Sequence, residues 1–366
     1  MGFSSGLVVA AIISIWLLLL VNVVLTIAGY RYYIECEKKG VAELRDEQLP
    51  TVSIMVPAHN EAKVIVRTAE ALLRFDYPED KYEIIIINDN SSDDSAALLE
   101  EVKRKNPGRK FKVINTDAVT GGKGKSNALN IGYQQCTGEY IAIYDADNTP
   151  ERPALRRLAS TIVREDSLGA VIGKFRTRNR NATLLTRFIN IETLAFQWMA
   201  QAGRWKIFHL CTIPGTNFII RRTILDAIGG WDVKAVAEDT EISFRIYMMG
   251  YQIRFIPQAV TWEQEPQTAS VWFRQRTRWV KGNIYVLIKN IPLLFNKKAK
   301  KVRFDICYFL SIYFLLLTAL VISDSVLIGT LIGWIHLNLA GFSTLLWFMA
   351  IVLFIVGTFI RSEEHT

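Results

Sequence analysis

Asp145 and Asp147 close the run YIAIYDAD, placing two carboxylates on alternate residues where a β-branched segment stops. On a strand end or tight turn both can address one divalent ion. Mg2+ and Mn2+ favour carboxylate oxygens together with the oxygens of a diphosphate. Upstream, TGGKGKSNALN (Thr120 to Asn130) raises a rival chemistry, because Gly-Lys-Ser follows the strand-like FKVIN as it would in a phosphate-cradling loop. A P-loop needs G-x-x-x-x-G-K-[ST], whose first glycine shapes the turn. Counting back from Gly124, Lys125 and Ser126, that position is Val119, so the motif fails, although YIAIYDAD imitates the acidic strand of an ATPase. Further on, Glu238 and Asp239 open a helical run with Ile242, Ile246 and Met249 on its apolar face. By themselves, acidic residues there simply complement the helix dipole. In TASVWFRQRTRWVKGNIYVLI, Gln275, Arg278 and Trp279 fall at i, i+3 and i+4 and share a helix face. The same stretch carries the aromatic and basic anchors of an interfacial amphipathic helix.

These residues must be positioned by the alternation that begins at Thr51. VSIMVPA, YEIIIIND, FKVIN and YIAIYDAD read as strands, the second being continuous and β-branched. EAKVIVRTAEALLRF, SDDSAALLEEVKRK and KSNALNIGYQQC read as helices between them. GTNFIIRR adds a further strand-like piece. Such β-α-β alternation predicts an open, mostly parallel sheet covered by helices, with ligands bound beyond the carboxyl ends of its strands. PAHNEA, NDNSSDD, GGKGKS and DADN all stand at those ends. Each alone is an ordinary turn or cap; their recurrence at successive strand ends marks a site.

The 366 residues are 50% hydrophobic and carry a net charge of +8, too apolar for an ordinary soluble enzyme and too charged for an all-membrane protein. The apolar residues gather at the ends. Gly2 to Tyr30 has no charge and is long enough to cross a bilayer. A cleaved signal peptide fits poorly, since the run is too long and no basic segment precedes it. A second span begins near Ile306, and a third, FSTLLWFMAIVLFIVGTFI, reaches Ile360. RYYIECEKK after the first span and KKAKKVR before the second put both flanks, and the polar middle, in the cytosol. The positive charge then reads as a topology signal and an attraction to anionic lipid, not nucleic-acid binding. Cys36, Cys136, Cys211 and Cys307 are scattered without zinc spacing, as suits a reducing compartment. The terminal RSEEHT differs from the rest and reads as a translated sequencing adaptor, so the natural chain is expected to continue.

In order, VPAHNEA, INDNSSDD, GKSNALN, DAD, AED and QRTRW resemble the motifs of membrane-embedded processive glycosyltransferases of family 2, the group of cellulose, hyaluronan, chitin and poly-N-acetylglucosamine synthases. The resemblance spans the cytosolic part. It implies a GT-A fold, α/β and Rossmann-like with a mostly parallel sheet, flanked by transmembrane helices. The expected division is a first span at 1–32, the GT-A domain at 33–265, an interfacial region at 266–303, further spans at 304–360 and an artefactual tail at 361–366.

The resemblance also implies roles. Ala58 and Glu61 would border the nucleotide, and Asp89 would contact the base, although Asn88 and Asn90 depart from the usual Asp-Asp-Gly-Ser element. Lys125 would lie near the nucleotide. Asp147, helped by Asp145, would hold Mg2+ or Mn2+. Asp239 would be the general base, with Ala237 replacing the usual threonine and Glu238 orienting the site. Gln275, Arg278 and Trp279 match the Gln-x-x-Arg-Trp signature, the indole holding an acceptor sugar. The expected donor is UDP-N-acetylglucosamine or UDP-glucose, and the acceptor a growing β-linked polysaccharide exported across a bacterial inner membrane. So few spans for a channel imply a lost C-terminus, a second copy of the chain or an accessory membrane subunit. Two alternatives stand beside this: transfer of one sugar to a lipid or glycan, and a membrane ATPase using GGKGKS.

Overall fold

The computed structural model describes residues 3–296 and 299–334. The third apolar run, RSEEHT, Lys297 and Lys298 lie outside them. The strands are β1 (Val52–Ala58), β2 (Tyr82–Asp89), β3 (Phe111–Thr116), β4 (Tyr140–Ile143), β5 (Thr149–Pro150), β6 (Leu168–Thr177), β7 (Phe218–Arg221) and β8 (Gln252–Glu263). Helix α1 is Phe3–Lys39, followed by α2 (Ile65–Leu73), α3 (Ser95–Lys105), α4 (Lys125–Tyr133), α5 (Ala154–Arg164), α6 (Leu184–Ala195) and α7 (Arg204–Phe208). Then come α8 (Arg222–Ile228), α9 (Glu238–Met248), α10 (Ala269–Asn290), α11 (Lys300–Leu310) and α12 (Leu317–Leu331). A π-helical stretch, Phe196–Gly203, joins α6 to α7, and another, Ser311–Leu316, joins α11 to α12.

The sheet runs β3-β2-β1-β4-β7-β6-β8-β5. β3, β2, β1 and β4 are mutually parallel, as the alternation predicts. β2 is buried along its whole length because helices cover both faces, which is why its sequence is apolar without alternation. The far half is mixed: β7 is antiparallel to both β4 and β6, while β6 and β8 are parallel. The chain order reverses between β1 and β4, so their carboxyl ends flank the crevice where such sheets bind ligands.

Among the described residues, Val9–Lys39 and Val302–Val326 are long and apolar enough to cross a membrane. Ala11, Leu18, Leu25 and Tyr32 recur every seventh residue on α1 and are buried, while Ile13, Leu17, Leu20, Val24 and Ile27 are exposed. The buried stripe packs on α12 and the first π segment. Contact with that segment is backbone-close: a methyl on Gly29 would lie 2.2 Å from the Trp198 carbonyl, and one on Gly203 would lie 2.1 Å from that of Leu25.

Arg204 ties α7 to the second apolar segment. Its guanidinium is fully buried, ion-paired with Asp305 of α11 and stacked near Tyr308 and Phe309. Removing one partner strands the other charge, so Asp305→Asn or Arg204→Met is expected to cost about 3–5 kcal/mol. An Arg204→Met/Asp305→Leu pair should recover most of that loss. Thermal unfolding in detergent measures both.

Candidate active site

The loop after β1 is built by the polar residues after β2. Asn60, in a left-handed conformation that asparagine tolerates, donates its N–H to Ser91 Oγ at 2.9 Å, and its Oδ1 accepts from the Ser92 N–H at 2.8 Å. The Glu61 N–H bonds Ser95 Oγ at 3.0 Å, and the Ala62 N–H bonds Asp93 Oδ2 at 2.9 Å. Ser91, Ser92 and Asp93 of NDNSSDD, with Ser95 just beyond it, thereby fix the backbone that presents Glu61. Ala58 ends β1 with its methyl in the core. Asp89 is buried, and its Oδ1 accepts from Thr116 Oγ1 and the Gly122 N–H, both at 2.9 Å, fastening the glycine loop to the end of β2.

Asp145 and Asp147 lie in the turn just after β4. Buried Asn148 fixes that turn: its Oδ1 accepts from Thr216 Oγ1 at 2.9 Å and Thr261 Oγ1 at 3.1 Å, and its Nδ2 donates to Asp147 Oδ1 at 3.2 Å. β5 pairs Thr149 with Trp262, which brings the end of β8 beside the turn. Burial, then the charges of Asp147 and Asp145, push the Glu61 carboxyl up to about 7. Burial and Asp145 raise Asp147 too. Glu263 is raised well above the carboxylate range by burial, Glu265, Asp147 and Asp145. Glu61, Asp145, Asp147 and Glu263 thus form a carboxylate group short of positive charge, and a divalent cation would relieve it. Among the described residues no three His, Cys, Asp or Glu side chains make a ready cage. An ion held by Asp147 and Asp145 would complete its shell with water and diphosphate oxygens, the habit of Mg2+ and Mn2+. The residues fit.

Lys125 connects this group to α9. Its Nζ donates to Asp145 Oδ1 at 2.5 Å and to the Gly215 carbonyl at 2.9 Å, and lies 3.4 Å from Glu238 Oε1. Burial works against the ammonium charge, but Asp145 and Glu238 outweigh it and hold Lys125 protonated. Asp239 is at the same spot: a methyl on Gly215 would come 3.1 Å from Asp239 Oδ2 and 3.4 Å from Lys125 Nζ. Its Oδ1 accepts from the Thr240 N–H at 2.7 Å. Burial and Glu238 raise Asp239 to about 7 against the pull of Lys125.

α10 borders both groups. A methyl on Gly282 would lie 2.9 Å from the Ala237 N and Cβ, so this turn packs against the residues that lead into Asp239. One residue on, Asn283 Oδ1 accepts from Thr240 Oγ1 at 2.9 Å, and its Nδ2 donates at 2.9 Å to the hydroxyl of Tyr313 in the second apolar segment. Two turns earlier, the Arg276 charge reaches Glu265, which is itself in electrostatic range of Asp147. Trp279 stands between these anchors with 45% of its surface exposed. Arg278 is exposed, and Gln275 is half-buried with its Oε1 lacking a hydrogen-bond partner.

Sequence reasoning missed Glu263, Glu265, Thr240, Asn283 and Tyr313. WEQEP repeats at the end of β8 the carboxylate-x-carboxylate spacing of DAD, a signal that was there to read. Asn283 and Tyr313 carried no such signal, Asn283 being one polar residue among many on α10 and Tyr313 an ordinary aromatic in an apolar run.

Residues 50–282 match the family model described as "Glycosyltransferase like family 2". The chain is 46% identical over 355 residues to the Bacillus subtilis (strain 168) protein "Probable glycosyltransferase YdaM", covering 96% of this chain and 84% of that one. It is 29% identical over 278 residues to a Staphylococcus epidermidis poly-beta-1,6-N-acetyl-D-glucosamine synthase, covering 74% of this chain and 65% of that relative. In fold it is similar to the mannosyltransferase PcManGT from Pyrobaculum calidifontis, solved in complex with GDP-Man and Mn2+: TM-score 0.68, 21% identity, 97% of this chain and 96% of that one. With a GT-A-like mixed sheet and a family match over most of its length, the chain belongs to the family 2 glycosyltransferases.

Proposed function

We propose that this enzyme transfers a sugar, with inversion, from a UDP-sugar to a growing β-linked polysaccharide at the cytosolic face of a bacterial inner membrane. UDP-N-acetylglucosamine is the first candidate donor, on the likeness to the poly-N-acetylglucosamine synthase, and UDP-glucose the second. The observation that carries the reading is Lys125, whose ammonium joins Asp145 of the diphosphate side to Glu238, the neighbour of Asp239, on the acceptor side.

In this reading the diphosphate lies against Asp145, Asp147 and Lys125. When bound, a divalent ion held there would neutralise charge growing on the leaving group. Lys125 is protonated and fixed in place, so its charge needs no rearrangement as the bond breaks. Asp239 takes the proton from the acceptor hydroxyl as the new C–O bond forms. Trp279 offers its exposed ring to the acceptor sugar and holds it in line between turnovers. Val9–Lys39 and Val302–Val326 cross the membrane with their basic flanks inside, and the product leaves beside them. The family match replaces the ATPase reading.

The test is a panel of radiolabelled nucleotide sugars given to membranes containing the protein, with Mg2+ or Mn2+, scoring polymer and nucleoside diphosphate. Transfer of a single sugar, with no chain growth, would overturn processivity. A pH profile tests the base. Because Asp239 must be ionised to act and its carboxyl sits at about 7, kcat/KM is expected to rise with pH through neutrality. Glu238 is one cause of the elevation, so Glu238→Gln should move that rise to lower pH.

A further inference from the structure

We infer that Arg276 is a positioning residue for acceptor binding: its guanidinium, gripped by Glu192 of α6, fixes the Trp279 indole and leaves one ring face open to a sugar. The inference rests on the reading of Trp279 as the acceptor platform. Arg276 and Trp279 are three residues apart on α10, and the guanidinium carbon sits 4.1 Å from the ring centroid. The far end of the same guanidinium donates from Nη2 to Glu192 Oε2 at 2.6 Å. A planar cation held at one end and laid against an indole restricts both rotation and tilt of the ring, which a lysine ammonium cannot do. Since Arg276 covers one face and Trp279 remains 45% exposed, an acceptor ring has one face on which to stack.

The surroundings enclose most of the Arg276 side chain. Arg276 Nε and Nη1 are buried and make no hydrogen bond, and Gln275 Oε1 next to them is in the same state. Buried donors and acceptors without partners are costly. Arg276 is therefore held in place by its Glu192 pair and its stack on the indole. The grip also comes from a separate element, so the orientation of Trp279 depends on α6 as well as on its own helix.

The test uses the full chain in detergent, with UDP-N-acetylglucosamine and a β-1,6-linked N-acetylglucosamine tetramer. Arg276→Met is expected to raise the acceptor KM roughly 3- to 30-fold, the range of a lost cation–π stack. The donor KM should move less than the acceptor KM, its only link to Arg276 running through Glu265. Glu192→Gln should raise acceptor KM less, and Arg276→Lys should fall between wild type and Arg276→Met. On a Trp279→Ala background, Arg276→Met should add nothing. If Trp279→Ala raises acceptor KM and Arg276→Met and Glu192→Gln do not, the positioning role is wrong while the platform stands. If Trp279→Ala itself leaves acceptor KM unchanged, the platform fails and this inference with it. Equal losses on donor and acceptor would mark Arg276 as merely structural and overturn it.

Discussion

Asp239→Asn is expected to lower polymer synthesis by about 10²–10⁴-fold, the usual worth of a positioned base, and to leave nucleotide-sugar binding nearly intact. Asparagine keeps the shape of the side chain, and its Oδ1 can still accept the Thr240 N–H that holds Asp239 at 2.7 Å. It cannot take a proton. Lys125 keeps Asp145 and the Gly215 carbonyl, at 2.5 and 2.9 Å, so the diphosphate side of the pocket does not lose its cation. The decisive measurement pairs the rate of polymer formation with donor affinity by isothermal titration. Synthesis at the wild-type rate would remove Asp239 from the chemistry. A matching collapse of donor affinity would show instead that the residue serves the nucleotide. Alanine is the poorer probe, because it opens a space beside Gly215 into which Lys125 can move.

The parallel half of the fold was legible because its strands have no competing description. YEIIIIND cannot be an amphipathic helix or a half-exposed strand, and burial of all of β2 follows from it. The start of α9 was legible from AED for the same kind of local reason. The mixed half was harder: β6 carries Lys174 and Arg176, β8 carries Arg254 and Gln258, and both mix polar residues into their runs. Their order comes from β6 pairing with β7 and β8 pairing with β6, long-range facts that leave no periodicity. The same limit applies to the site. Residues at strand ends could be named one by one, since a strand end is visible in sequence. The link from Asp145 through Lys125 to Glu238 joins segments far apart in the chain and depends on where β4, α4 and α9 meet. In the strand-end cluster NDNSSDD, Ser91, Ser92 and Asp93, with Ser95 just beyond it, hold the loop that presents Glu61, a role that a strand-end position does not reveal.

Asp147→Asn is expected to reduce activity by at least about 10²-fold, as loss of a principal stabiliser of leaving-group charge does, and to abolish the metal dependence of nucleotide binding. The two aspartates after β4 are not equivalent. Asp145 is already engaged, at 2.5 Å from the Lys125 ammonium. Asp147 faces other carboxylates: it is raised by burial and Asp145, and it contributes to the elevation of Glu61 and Glu263. A carboxylate in that setting has the most to gain from a divalent cation. Asp145→Asn should therefore weaken Mg2+- or Mn2+-dependent nucleotide binding without erasing it. It also unties Lys125 from the diphosphate side and leaves it to Glu238, so a lower kcat is expected with some metal response retained. Titration of nucleoside diphosphate with and without a chelator separates the two variants. If Asp147→Asn still binds nucleotide more tightly with metal than without, the ion is held elsewhere, and Glu61 and Glu263 become the carboxylates to test.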